Sequence, residues 1–128
     1  MTDRLDSLRG QTILVVEDEA IIALGLTTYL EELGALVDWS TGIDEALDAI
    51  DRLPAIDAAV VDLNLSGRMS TPILDRLAAA GVHTVLCTGY DEASVEERFR
   101  GLPRSEKPFT RSKIRRLITE RPQAVRLA

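Results

Sequence analysis

Asp57-Ala58-Ala59-Val60-Val61-Asp62-Leu63-Asn64 decides the fold. Four small or β-branched apolar residues run directly into a carboxylate, and turn-type residues close the segment. A short apolar run bounded this way reads as a strand buried on both faces. Asp62 then stands where that strand leaves the core. By itself such an Asp is a turn former or a helix cap. The alternative is an exposed nucleophile at the carboxyl end of a central parallel strand, the edge at which open α/β sheets place their sites. What the other strands deliver to that edge decides between the two.

Upstream, Thr12-Ile13-Leu14-Val15-Val16 reads as a first buried strand ending at Glu17-Asp18-Glu19. A helix is expected from about Ala20 to Leu33, with Ile22, Leu26, Tyr29, Leu30 and Leu33 as its inward stripe and Gly34 as its stop. Leu24 falls off that stripe. Ala35–Trp39 is a shorter strand, and Ser40-Thr41-Gly42 is suited to capping a helix that uses Ile43, Ala46, Leu47 and Ile50 and ends at Pro54. Downstream of Asp62, Leu63 to Ser70 is expected to be a loop. Thr71-Pro72 reads as a cap and first-turn proline for a helix packing Ile73, Leu74 and Leu77 and stopping at Gly81. Val82–Cys87 is a fourth strand leading to Thr88-Gly89-Tyr90. Asp91 to Arg100 reads as a short polar helix anchored by Val95 and Phe99. Leu102 to Glu106 has poor strand character, and its assignment as a fifth strand rests on the alternation of the whole chain. Lys107-Pro108-Phe109 precedes a last helix, Thr110 to Glu120, burying Ile114, Leu117 and Ile118. Five strands alternating with five helices predict a doubly wound parallel α/β sheet in a single domain over residues 11–120. Residues 1–10 are an extension and residues 121–128 a tail.

The bulk numbers agree. A chain of 128 residues suits one core, and 45% apolar with 28% charged residues points to a globular protein. The net charge of −6 argues against general nucleic-acid or membrane binding. It hides an asymmetry. Residues 97–128 carry ten basic and three acidic side chains, against five basic and eighteen acidic in residues 1–96. Such a split suggests two surfaces with different partners. The basic end lacks interleaved aromatics, so it reads as a protein-docking face rather than a nucleic-acid patch. Cys87 is the single cysteine and reads as a buried, inert thiol. Met1 to Gly10 holds no apolar signal core, and a cytoplasmic location is expected.

Every functional candidate falls at the carboxyl end of an expected strand: Glu17 and Asp18 after the first, Asp62 after the third, Thr88 after the fourth and Lys107 after the fifth. In a parallel sheet these ends share one edge. Three carboxylates brought together repel one another, and a cation stabilises the cluster. An all-oxygen, partly hydrated site suits Mg²⁺. A carboxylate beside Mg²⁺ is placed to attack a phosphoryl group in line. Lys107 and the Thr88 hydroxyl would then stabilise the phosphoryl oxygens.

Val16-Glu17-Asp18-Glu19, Val61-Asp62-Leu63-Asn64, Cys87-Thr88-Gly89-Tyr90 and Lys107-Pro108-Phe109 together resemble the receiver domain of two-component response regulators, over roughly residues 11–120. The resemblance implies a CheY-like, flavodoxin-like sheet of order 2-1-3-4-5. It implies Asp62 as phosphoacceptor, Glu17 and Asp18 as Mg²⁺ ligands, and Asn64 as a backbone-carbonyl ligand. It also implies Thr88 as the switch hydroxyl, Lys107 as the phosphate-binding lysine, and a cis Lys107–Pro108 bond. The chain departs from the family in two places. The loop after Asp62 lacks the usual Met-Pro, and Arg104 stands where receivers carry Tyr or Phe three residues before the lysine. Leu86-Cys87-Thr88-Gly89-Tyr90 is similar to the Phe-Ala-Thr-Gly-Tyr signature of an alphaproteobacterial receiver subfamily that lacks that aromatic and acts in stress signalling. Tyr90 is then either a loop aromatic over the site or a substitute switch.

The expectation is a single-domain, non-enzymatic response regulator. It would be phosphorylated by a histidine kinase or phosphotransfer protein and would act on a downstream protein effector, as a monomer or a phosphorylation-dependent dimer. With no output domain after residue 120, the output surface is expected on the last strand and the last two helices. Leu24 is a candidate kinase contact, and His83 reads as packing or surface. Two rivals remain: a phosphate sink or relay without an effector, and a Mg²⁺-dependent phosphatase with an Asp nucleophile. Asn64 speaks against the phosphatase, since such enzymes carry a second Asp there as acid/base.

Overall fold

The computed structural model describes residues 7–89 and 95–120. In chain order the elements are β1 (Thr12–Val16), α1 (Ala20–Glu32), β2 (Leu36–Ser40), α2 (Ile43–Arg52), β3 (Ala58–Asp62), β4 (Asn64–Leu65), β5 (Arg68–Met69), α3 (Thr71–Ala79), β6 (His83–Thr88), β7 (Arg104–Glu106) and α4 (Arg111–Thr119). Strands β2-β1-β3-β6-β7 form one five-stranded parallel sheet in that order. This is the doubly wound, CheY-like topology expected from the sequence.

Both faces of the sheet are covered, which is why β1 and β3 read as continuous apolar runs. The period of two divides them. Leu14, Val16, Ala59, Val61 and Leu86 pack on one face with residues of α2 and α3. Ile13, Val15, Ala58, Val60, Val85 and Cys87 pack on the other with residues of α1 and α4. In α1 the fully inward positions are Ala23, Leu26 and Leu30, while Ile22 and Tyr29 are half-buried. Leu24 is 64% exposed, as its place off the stripe predicts, and Ile21 is 88% exposed. The stretch expected to be an extension contributes Leu8, which is fully buried and donates its N–H to the Leu33 carbonyl at 2.9 Å. That close approach explains Gly34. At φ +100°, a Cβ there would lie 2.8 Å from the Arg9 Cα.

Several local expectations shift. Residues 63–70 are not an open loop, because β4 and β5 pair as a small antiparallel hairpin. Within the expected Ser40-Thr41-Gly42 cap, Gly42 is the N-cap of α2 and no side chain caps the helix, since Thr41 donates its N–H and hydroxyl to Glu45. Ser70 precedes α3, so Thr71 is its first residue. Of the helix expected over Asp91–Arg100, the described part begins at Val95 and holds only a 3₁₀ turn, Glu97–Phe99. Glu96 has an extended backbone (φ −54°, ψ 142°), which stops an α-helix from running through it. Val95 and Phe99 are buried as expected. Tyr90 and the tail from residue 121 lie outside the described residues. β7 is short but present, pairing Arg104, Ser105 and Glu106 with Leu86, Cys87 and Thr88. As an edge strand it needs little apolar sequence. Among the described residues no helix is long and apolar enough to cross a membrane.

Candidate functional site

The register of the central strands gathers the candidate residues. Val16 lies opposite Val61, and Asp62 opposite Cys87. One step beyond β1 is therefore beside the last residue of β3, and Glu17 and Asp18 meet Asp62. Their carboxylates each offer an oxygen, all within 4.8 Å of one another. Glu17 is 4% exposed and Asp62 5% exposed, so two of the three acids are desolvated, while Asp18 is half-buried.

Lys107 reaches across the edge from the segment after β7. Its Nζ lies 2.7 Å from Asp62 Oδ2, 3.0 Å from Glu17 Oε1 and 3.6 Å from Glu19 Oε1. The Lys107 N–H donates to the Thr88 carbonyl at 2.8 Å, which anchors its backbone to the end of β6; the Lys107–Pro108 bond is cis. Thr88, 2% exposed, ends β6 one residue past Cys87, which lies opposite Asp62. Burial disfavours a charge on Lys107, but hydrogen bonds to Asp62 and Glu17 outweigh it, and its pKa is raised. The ammonium is a permanent counter-charge.

Main-chain donors orient the acids. Glu19 N–H donates to Glu17 Oε2 at 3.0 Å, and Asn64 N–H donates to Asp62 Oδ1 at 3.3 Å. The Trp39 indole donates to the Glu17 carbonyl at 2.8 Å, tying the end of β1 to β2. The Ser66 hydroxyl donates to Asp18 Oδ2 at 2.5 Å, and it helps to hold the Asp18 pKa below the usual value against the burial that would raise it. The Asn64 side chain accepts from Gly67 N–H at 2.7 Å. Glu17, Asp18, Asp62, Asn64, Thr88 and Lys107 all come to one edge, as the strand-end argument requires. Sequence reasoning missed the site contacts of Ser66 and Trp39. Neither had a detectable signal, since each meets its partner only through the fold.

Desolvation pushes Glu17 from 4.5 up to about 7, against the lowering effect of Glu19 N–H and Lys107. The folded state therefore holds this proton more tightly than the unfolded chain. The cost of burying Glu17 is absent below about pH 4.5 and is complete once the pH passes about 7. Without metal, Glu17→Gln is expected to gain on the parent protein by about 1–3 kcal/mol across that window. Urea unfolding in chelator over a pH series measures this. A pH-independent difference would show that Glu17 is not desolvated. Burial, with the nearby Asp62 charge, likewise raises Cys87 to about 12, which keeps it a thiol. The His83 Nε2–H donates to the Leu117 carbonyl at 2.9 Å, a packing role.

The chain is similar to several known proteins. The solution structure of SdrG from Sphingomonas melonis Fr1 superposes with a TM-score of 0.75 at 37% identity, covering 84% of this chain and 92% of that one. The receiver domain of the sensor histidine kinase PA1611 from Pseudomonas aeruginosa PAO1 superposes with a TM-score of 0.73 at 23% identity, covering 85% and 94%. The transcriptional regulatory protein QseB of Escherichia coli O157:H7 is 32% identical over 90 residues, 70% of this chain. The chain spans 41% of the length of QseB. No family model matches. Likeness to SdrG over nearly the whole of both chains, together with the receiver sheet order and the acids gathered at its edge, places the chain in the response regulator receiver family of two-component signalling proteins.

Proposed function

We propose that the protein accepts a phosphoryl group on Asp62 from a histidine kinase or phosphotransfer protein and signals through phosphorylation-dependent protein contact. One observation carries this reading. Asp62 is a buried carboxylate with the Lys107 ammonium 2.7 Å away and the Glu17 and Asp18 carboxylates gathered beside it. In the transfer, an Asp62 oxygen forms a bond to phosphorus as the donor's N–P bond breaks. The electron pair stays on the donor imidazole, which takes up a proton. Lys107 offsets charge on the phosphoryl oxygens, and Thr88 donates a hydrogen bond to one of them.

An all-oxygen donor set with a net negative charge fits Mg²⁺. Glu17, Asp18, Asp62 and the Asn64 carbonyl would hold it. When bound, Mg²⁺ supplies positive charge that offsets the carboxylates and the phosphoryl oxygens. The related PA1611 receiver carries a magnesium ion in its active-site cleft.

The phosphodonor docks beside α1. Ile21, Ile22, Gly25 and Leu26 line a cleft of about 260 Å³ with Lys107–Phe109 and Arg111; the exposed Leu24 is not part of its lining. Likeness to SdrG supports placing the chain in the alphaproteobacterial subfamily that its Thr88-Gly89-Tyr90 segment resembles. The phosphatase alternative has little support. Asn64 occupies the position of the second acid, and its side chain is engaged by Gly67 N–H.

Phosphotransfer profiling against purified histidine kinases and phosphotransfer proteins tests the proposal. A small subset is expected to label the protein in Mg²⁺ and not in chelator. Failure of every donor would overturn the partner class. Pull-down with and without a phosphate mimic then separates a signalling switch from a phosphate sink, because only the switch gains a partner.

A further inference from the structure

The hairpin of β4 and β5 turns through Ser66 (φ +53°) and Gly67 (φ +91°), with Leu65 paired to Arg68. Two residues with positive φ make a type I′ turn, which favours Asn, Asp or Gly. Gly67 fits that preference. Ser66 does not: it is the sole non-glycine with positive φ among the described residues. A side chain held in this region at a cost indicates a compensating role. The compensating contact is a hydrogen bond to Asp18. Ser66 Oγ donates to Asp18 Oδ2 at 2.5 Å, across 48 residues of sequence.

The same turn is fixed to the site at a second point. Asn64 uses its N–H to hold Asp62 Oδ1 at 3.3 Å and its Oδ1 to accept from Gly67 N–H at 2.7 Å. The hairpin therefore spans two of the clustered acids, gripping Asp62 through Asn64 and Asp18 through Ser66. Asp18 needs such a grip. Glu17 and Asp62 are buried and bonded to Lys107, whereas Asp18 is half-exposed.

We infer that Ser66 is a positioning residue, strained at its backbone so that its hydroxyl aims the Asp18 carboxylate into the metal-binding cluster. This inference rests on the Mg²⁺ reading above. A hydrogen bond from outside the ligand set fixes a ligand's orientation and raises its affinity for the ion.

Ser66→Gly separates the two roles, because glycine relieves the backbone and removes the hydroxyl. Its melting temperature is expected to equal or exceed that of the parent protein. Its Mg²⁺ dissociation constant is expected to rise about tenfold. The titration uses Mg²⁺ alone and follows the amide NMR shifts of Glu19 and Asn64, whose N–H groups donate to Glu17 and Asp62. Ser66→Ala keeps the strain and should lose the same affinity with a lower melting temperature. Equal Mg²⁺ affinity in the parent protein and Ser66→Gly would overturn the inference while leaving the Mg²⁺ site standing. Absence of Mg²⁺ binding to the parent protein would overturn both the site reading and the inference.

Discussion

Asp62→Asn is expected to abolish acyl-phosphate formation while leaving the fold intact. The amide is nearly isosteric, but its neutral nitrogen and carbonyl are poor nucleophiles toward phosphorus. The change also removes one of the clustered charges. In the metal-free protein that relief should leave stability unchanged or raised, because like charges held together destabilise the folded state. Activity and stability thus move independently. Labelling with a small-molecule phosphodonor, read by intact mass, checks the first expectation. Urea unfolding checks the second. Labelling that persists at the same stoichiometry would remove Asp62 as the nucleophile.

Lys107→Ala is expected to act in two directions. Phosphoryl transfer should slow by about a factor of one hundred, the typical cost of losing one preorganised donor to developing charge. Mg²⁺ affinity should increase. In the parent protein the ammonium lies 2.7 Å from Asp62 and 3.0 Å from Glu17, sharing the carboxylates that would ligate the ion. Its removal leaves those buried carboxylates without their ammonium, and a divalent ion is the remaining neutraliser. Without Mg²⁺ the variant should therefore be destabilised, and with saturating Mg²⁺ much of that loss should return. Transfer kinetics and a magnesium titration on the same variant check both. An unchanged transfer rate would place Lys107 outside the phosphoryl site, and weaker Mg²⁺ binding would contradict the charge argument.

The architecture was legible where burial imposes a strong pattern. Ala58–Val61 and Ile13–Val16 are apolar at every position because helices cover both faces, and no other element type fits runs so short. Once those were strands, the parallel register carried Glu17, Asp62, Thr88 and Lys107 to one edge with no further information. β7 was legible only from the alternation of elements. Arg104 and Glu106 point away from the core, and Ser105, 3% exposed, is small and polar. The β4–β5 hairpin was not foreseen because strands of two residues carry no period. The Ser66-Gly67 pair was its available signal. The α2 cap falls on Gly42 of the Ser40-Thr41-Gly42 stretch, with no side-chain cap, because Thr41 serves Glu45 instead of the helix amides. The contacts of Ser66 with Asp18 and of Trp39 with Glu17 were beyond reach, since each depends on a turn or strand meeting a distant residue.

On the proposed function, Asp62 is the phosphorylated residue in a site completed by Mg²⁺ and Lys107. The most direct measurement is peptide mapping after incubation with acetyl phosphate, with borohydride reduction to mark the acyl phosphate, in Mg²⁺ and in chelator. One modified position, Asp62, is expected in Mg²⁺ and none in chelator. Modification at Glu17 or Asp18, or labelling of Asp62 that is indifferent to chelator, would contradict the proposed function.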